Sequence, residues 1–153
     1  MDKVLGFDLG TRTLGIAKSD AMGIAHGYEE FRFLEGAYRQ ALRHAIEVID
    51  KEGIKEIALG YPLNMDGSVG ERAKSSEMFR LSLLKERPDL KIELVDERLS
   101  TVMASKRLLE ADLSRGKRHK VIDKAAATVI LESYLMRKEA LAAIEEEGED
   151  DGD

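Results

Sequence analysis

The stretch "VLGFDLGTRTLGIA" occupies residues 4–17. Val4, Leu5, Phe7 and Leu9 give it the apolar density of a buried strand. "GTR" (10–12) reads as a tight turn, and "TLGIAKSD" (13–20) as a second strand returning beside the first. Asp8 interrupts this apolar run from within. Burying an ionised carboxylate is costly unless it is paired or bound to a cation. The stretch therefore sets both the start of the fold and the place to look for chemistry.

Reading outward, "HGYEEFRFL" (26–34) is a third short strand, and three strands without an intervening helix predict an antiparallel meander. The period then changes. Tyr38, Leu42, Ala45, Ile46 and Ile49 recur at helical spacing over 36–53, with Gly53 as the stop. "IKEIALGY" (54–61) is a strand and "PLNMDG" (62–67) a turn. Ser68 and Glu71 fit a capping box opening a helix that runs to about Arg87, before Pro88. "KIELVDERL" (91–99) is the fifth strand, 100–113 a helix, "RGKRHK" (115–120) a basic loop, and the last helix starts near Val121. The order β-β-β-α-β-α-β-α-α is an α/β pattern. Its first, fourth and fifth strands should be parallel through right-handed crossovers. Such sheets bind ligands at the carboxyl ends of their strands.

The composition narrows the function classes. A chain of 153 residues with 43% hydrophobic residues can bury one core. It has no cysteine, which rules out disulfides and thiolate zinc sites. No run is long and apolar enough for a membrane span, and the first strand starts at residue 4, leaving no room for a signal peptide. A cytoplasmic protein without membrane partners is expected. The net charge of −6 is concentrated in "EEEGEDDGD" (145–153), whose seven acids leave one net positive charge on the rest. The expected organisation is one domain over 1–144 and an acidic, disordered tail over 145–153.

Three acids from distant parts of the chain approach one sheet edge: Asp8, one of Asp96 and Glu97, and Asp123. Gathered carboxylates repel, and a divalent cation removes the repulsion; Mg²⁺ suits oxygen ligands. Two such ions about 3.5–4 Å apart can activate water and stabilise the leaving oxygen of a phosphodiester. Structural alternatives exist for each acid. Asp8 could pair with Arg12, either acid of the "DE" pair with Arg98, and Asp123 could complement a helix dipole. Alternation places Asp96 and Glu97 on opposite faces, so the strand pattern does not choose between them. Arg115, Lys117, Arg118 and Lys120 could contact phosphates, and Asn64 faces the same edge. "DLGT" also fits the phosphate turn of sugar kinases and actin-like ATPases, but these need two large lobes. His26, His44 and His119 show no ligand spacing.

Four motifs in order, "GFDLGTRTLGIAKSD", "GYPLNMDGS", "VDERLST" and "HKVIDKAAATVILESYL", resemble the YqgF family, also called RuvX, over nearly all of residues 3–137. The resemblance implies an RNase H-like fold: a mixed five-stranded sheet, the meander plus two parallel strands, with helices on both faces. It implies nuclease activity, with 5′-end maturation of pre-16S ribosomal RNA as the activity and precursor ribosomal RNA as partner. The family's other name, Holliday junction resolvase, makes branched DNA the alternative substrate; a non-catalytic RNA-binding assembly factor is a third. Carried over by position, Asp8, Glu97 (with Asp96 as fallback) and Asp123 would hold Mg²⁺ or Mn²⁺. Arg12, Asn64, Arg98, Ser100 and Thr101 would line the same edge, with Lys117 and Arg118 on the substrate backbone. Tyr61 departs from the family's usual Leu. A resolvase would require a two-fold dimer; a monomer or a homodimer is expected.

Overall fold

The computed structural model describes the backbone of residues 2–98 and 115–150, and the side chains of 2–98 and 126–146. The strands are β1 (Val4–Leu9), β2 (Thr13–Ser19), β3 (Ala25–Arg32), β4 (Glu56–Tyr61) and β5 (Lys91–Asp96). The helices are α1 (Tyr38–Glu52), α2 (Glu71–Glu86) and α3 (Arg115–Asp150). The sheet order is β3-β2-β1-β4-β5. β1–β2 and β2–β3 are antiparallel, whereas β1–β4 and β4–β5 are parallel. This is the mixed sheet that the strand pattern and the family motifs imply, with β1 at its centre.

Alternation along β1 builds two cores. Leu5, Phe7 and Leu9 join Ile57, Leu59, Ala41, Ile49, Phe79 and Leu83 beneath α1 and α2. Val4 joins Ala58, Ala127, Ile130 and Leu131 beneath α3. β1 is therefore buried on both faces, which explains its nearly continuous apolar run. Gly6 and Asp8 share the α3 face. A Cβ on Gly6 would lie 2.8 Å from the Ala127 carbonyl and 2.8 Å from Leu131 Cβ, so α3 rests directly on the β1 backbone.

The direction of α3 follows from its anchors. Glu56, which opens β4, accepts hydrogen bonds from the Tyr134 hydroxyl and from Lys138 Nζ, the latter at 2.8 Å. Near the other end of β4, Gly60 abuts Ile130. Earlier residues of α3 thus lie toward the carboxyl ends of β1 and β4.

Several boundaries differ from the sequence expectation. Gly53 does end α1, in the left-handed region at φ 66° with its N–H on the Ile49 carbonyl. The Ser68 capping box does not form: Gly70 is the N-cap of α2, without a side-chain cap. Asp66 holds Ser68 instead, accepting from its N–H at 2.9 Å and its hydroxyl at 2.6 Å. β5 ends at Asp96, and Glu97 and Arg98 are already helical. The basic stretch 115–120, expected as a loop, is helical backbone at the start of α3, and the helix continues to Asp150 into the acidic segment. One glycine in that basic stretch is too weak a breaker to stop a helix. The expected helix over 100–113, with Ser100 and Thr101, lies outside the described residues. Among the described residues no helix is long and apolar enough to cross a membrane.

Candidate active site

Asp8 stands half-buried near the carboxyl end of β1, on the α3 face. The acid that meets it comes from just past the end of β5, two strands away. Asp96 ends that strand exposed and is held by Arg98 through Nη2 at 2.7 Å and Nε at 3.0 Å. The backbone turns helical at the next residue, and Glu97 points inward, only 7% exposed. Its carboxylate lies over β4 at Gly60, where a Cβ would sit 2.5 Å from Oε1. No residue with a side chain fits there without moving Glu97. Gly60 is thus a component of the site that sequence reading passed over. The available signal was a glycine within an apolar strand, a mark of close approach.

Across Gly60 the Glu97 carboxyl hydrogen-bonds to Asp8. Burial, then the bond to Asp8 and its negative charge, push the Glu97 carboxyl far above the usual carboxylate range; Arg72 opposes the rise. Glu97 is therefore the proton-bearing member, donating to Asp8. Two acids sharing a proton in a shielded position are unstable as a pair of charges. Their hard oxygen donors fit a divalent cation, which would replace the shared proton. Among the described residues no set of three potential metal ligands is complete. The side chain of Asp123, on α3, is outside the described residues, as are those of Lys117 and Arg118.

A cavity of about 420 Å³ opens beside Glu97, lined also by Asn64, Arg72 and Arg98. Asn64 is fastened by its Nδ2, which donates to the Ser68 hydroxyl at 2.9 Å. Arg12 does not pair with Asp8; its exposed guanidinium reaches Glu35 at 3.3 Å. Tyr61 donates its hydroxyl to Glu77 at 2.8 Å. His44 stacks on Phe31 with ring centroids 4.0 Å apart and contacts Glu29, a structural role. Arg72, in the first turn of α2, was not among the candidates from sequence; nothing in its position there distinguishes it from a solvated helix residue. A larger groove of about 860 Å³ between α1 and α2 contains none of these acids.

The raised Glu97 carboxyl has a consequence for stability. In the folded chain Glu97 keeps its proton through neutral pH, whereas in the unfolded chain it ionises near pH 4.3. The folded state then binds more protons, so this group's contribution is complete below pH 4.3 and is lost as pH rises. Glu97→Gln mimics the protonated form. Without added divalent cation, it is expected to raise the melting temperature at pH 8 relative to wild type, and to leave it little changed at pH 4. An equal shift at both pH values in calorimetry would contradict the protonated assignment.

The family model described as RuvX, Holliday junction resolvase, matches residues 2–137. A protein of Geobacillus sp. (strain WCH70) named "Putative pre-16S rRNA nuclease" is 47% identical over 138 residues, 90% of this chain and 99% of that protein. A protein of the same name from Staphylococcus carnosus (strain TM300) is 44% identical over 134 residues, 87% of this chain and 94% of that one. Among solved structures, Thermus thermophilus RuvC in complex with a Holliday junction substrate superposes with a TM-score of 0.59 at 15% identity, covering 90% of this chain and 96% of that one. A second Thermus thermophilus RuvC structure gives 0.52 at 14% identity, covering 89% and 96%. At such identities the likeness is one of fold.

Proposed function

Because the chain belongs to the RuvX family, we propose that it is a divalent-cation-dependent nuclease of structured RNA, acting at the 5′ end of precursor 16S ribosomal RNA in the cytoplasm. One observation carries the catalytic part: the Glu97 carboxyl, buried at 7% exposure, crosses over Gly60 to meet Asp8. Asp8, Glu97 and Asp123 would hold the cation, Mg²⁺ or Mn²⁺. When bound, it supplies Lewis-acid stabilisation of charge on the phosphoryl oxygens and lowers the pKa of water. The remaining work belongs to the chain. Glu97 must release its proton for the site to load. Gly60 and the Ile130 side chain lie against the Glu97 carboxyl, which is almost wholly removed from bulk water.

On the substrate side, Asn64 and Arg98 line the cavity next to Glu97. Arg12, Ser100, Thr101, Lys117 and Arg118 complete the proposed substrate contacts. RNA is preferred over branched DNA because the relatives at 44–47% identity carry the pre-16S rRNA nuclease name. A junction-cutting enzyme would need two copies related by a two-fold axis, whereas RNA trimming needs one.

The reading is tested by incubating purified protein with a 5′-extended 16S precursor fragment and with a four-way DNA junction, with Mg²⁺, Mn²⁺ or chelator. Cleavage of the RNA alone, abolished by chelator, is the expected result. Cleavage of the junction alone by a dimer would reassign the substrate. No cleavage of either would leave a non-catalytic assembly factor.

A further inference from the structure

Two arginines line the cavity beside Glu97, and they differ in the charge they leave available. Arg98 is consumed by its neighbour. Its Nε lies 3.1 and 3.0 Å from the two Asp96 oxygens, its Nη2 2.7 Å from one of them, and its Nη1 reaches the Met65 carbonyl at 3.4 Å. That pair has no net charge and few free donors. Arg72 is exposed, and among the described residues it forms no salt bridge. Among the described residues its one side-chain hydrogen bond runs from Nη2 to the Leu9 carbonyl at 3.3 Å. A guanidinium has five N–H donors, so most of those of Arg72 remain free.

The anchor fixes where those donors sit. Leu9 follows Asp8 directly and ends β1. Arg72 therefore spans from the first turn of α2 to the carboxyl end of β1, with its charge bearing on Glu97. A cavity that receives a polyanion beside two carboxylates needs a cation that is positioned and not already neutralised. A guanidinium can grip two phosphate oxygens at once.

We propose that Arg72, rather than the Asp96-paired Arg98, is the principal residue of this cavity that binds a phosphate of the nucleic-acid backbone next to the carboxylate pair. The assignment rests on the nuclease reading of the same site. It makes Arg72 the charged anchor for substrate, with Arg98, neutralised by Asp96 and tied to the Met65 carbonyl, as the weaker contact.

The test uses Arg72→Gln and Arg72→Lys in the full chain, on the 5′-extended 16S precursor fragment. Cleavage gives kcat and KM; binding is measured separately in the Asp8→Asn background across a salt series; Mn²⁺ affinity and melting temperature are recorded for each variant. Arg72→Gln is expected to raise KM and the RNA Kd about 10–100-fold, the range for a lost charged contact. The slope of log Kd against log salt should shrink by about 0.7, the value for one phosphate contact on a single strand. Arg72→Lys should keep the slope while losing several-fold in affinity. Mn²⁺ should bind Arg72→Gln at least as tightly as wild type, since a positive neighbour has been removed. Unchanged KM, Kd and salt slope would overturn the proposal. So would equal losses of melting temperature and Mn²⁺ affinity in both variants, the pattern of a mere brace for the Leu9 carbonyl. If wild type binds the RNA but does not cut it, and Arg72→Gln still weakens binding with the slope change, the nuclease reading falls and the Arg72 assignment stands. Absence of RNA binding by wild type would remove both.

Discussion

Asp8→Asn is expected to lower RNA cleavage by about 10³-fold or more while leaving the fold intact. The substitution is nearly isosteric, and the position is half-buried on a strand whose packing is supplied by Leu5, Phe7 and Leu9 on the opposite face. Asn can still accept the hydrogen bond from Glu97. It cannot supply the negative charge that a cation requires, and it stands opposite the most shielded carboxyl of the site. The melting temperature should remain within a few degrees of wild type, because the near-isosteric Asn keeps both the packing and the hydrogen bond from Glu97. Circular dichroism and a cleavage time course on the precursor fragment check both halves. Full activity in Asp8→Asn would show that the acid pair is structural.

Gly6→Ala is expected to cost about 2–3 kcal/mol of stability, the upper part of the range for overpacking a core. For a chain of this size that is roughly 5–10 °C in melting temperature. The reason is the identity of the obstructing atoms. The new Cβ would meet the Ala127 carbonyl and Leu131 Cβ, both at 2.8 Å. Neither is the far end of a flexible side chain, so no rotamer change relieves the contact. The whole of α3 must rise from the sheet, loosening Val4, Ala58, Ile130 and Leu131 together. Thermal unfolding is the check. A Gly6→Ala protein as stable as wild type would mean that α3 does not rest on the β1 backbone.

The contrast between these two positions on one strand shows what a sequence conveys. The apolar run around Asp8 marked β1 as a buried strand, and the family motifs pointed to the acids. The choice between Asp96 and Glu97 was beyond periodicity. Alternation assumes a continuing strand, whereas β5 ends at Asp96 and the next residue turns helical, which alone sends Glu97 inward. Local competition misled elsewhere. Ser68 has the spacing of a cap, but Asp66 takes its hydroxyl first. Arg12 is close to Asp8 in sequence, yet Glu35, distant in sequence, is its partner. Gly60 and Arg72 acquire meaning only from what the fold brings against them: the Glu97 carboxyl just past β5 in one case and the end of β1 in the other.

The measurement that bears most directly on the site is Mn²⁺ binding by wild type, Asp8→Asn and Glu97→Gln at pH 8, followed by titration calorimetry. A site built by Asp8 and Glu97 predicts saturable binding by wild type, with release of a proton, and a loss of at least about tenfold in affinity in either variant. Equal Mn²⁺ affinity in all three proteins would contradict it.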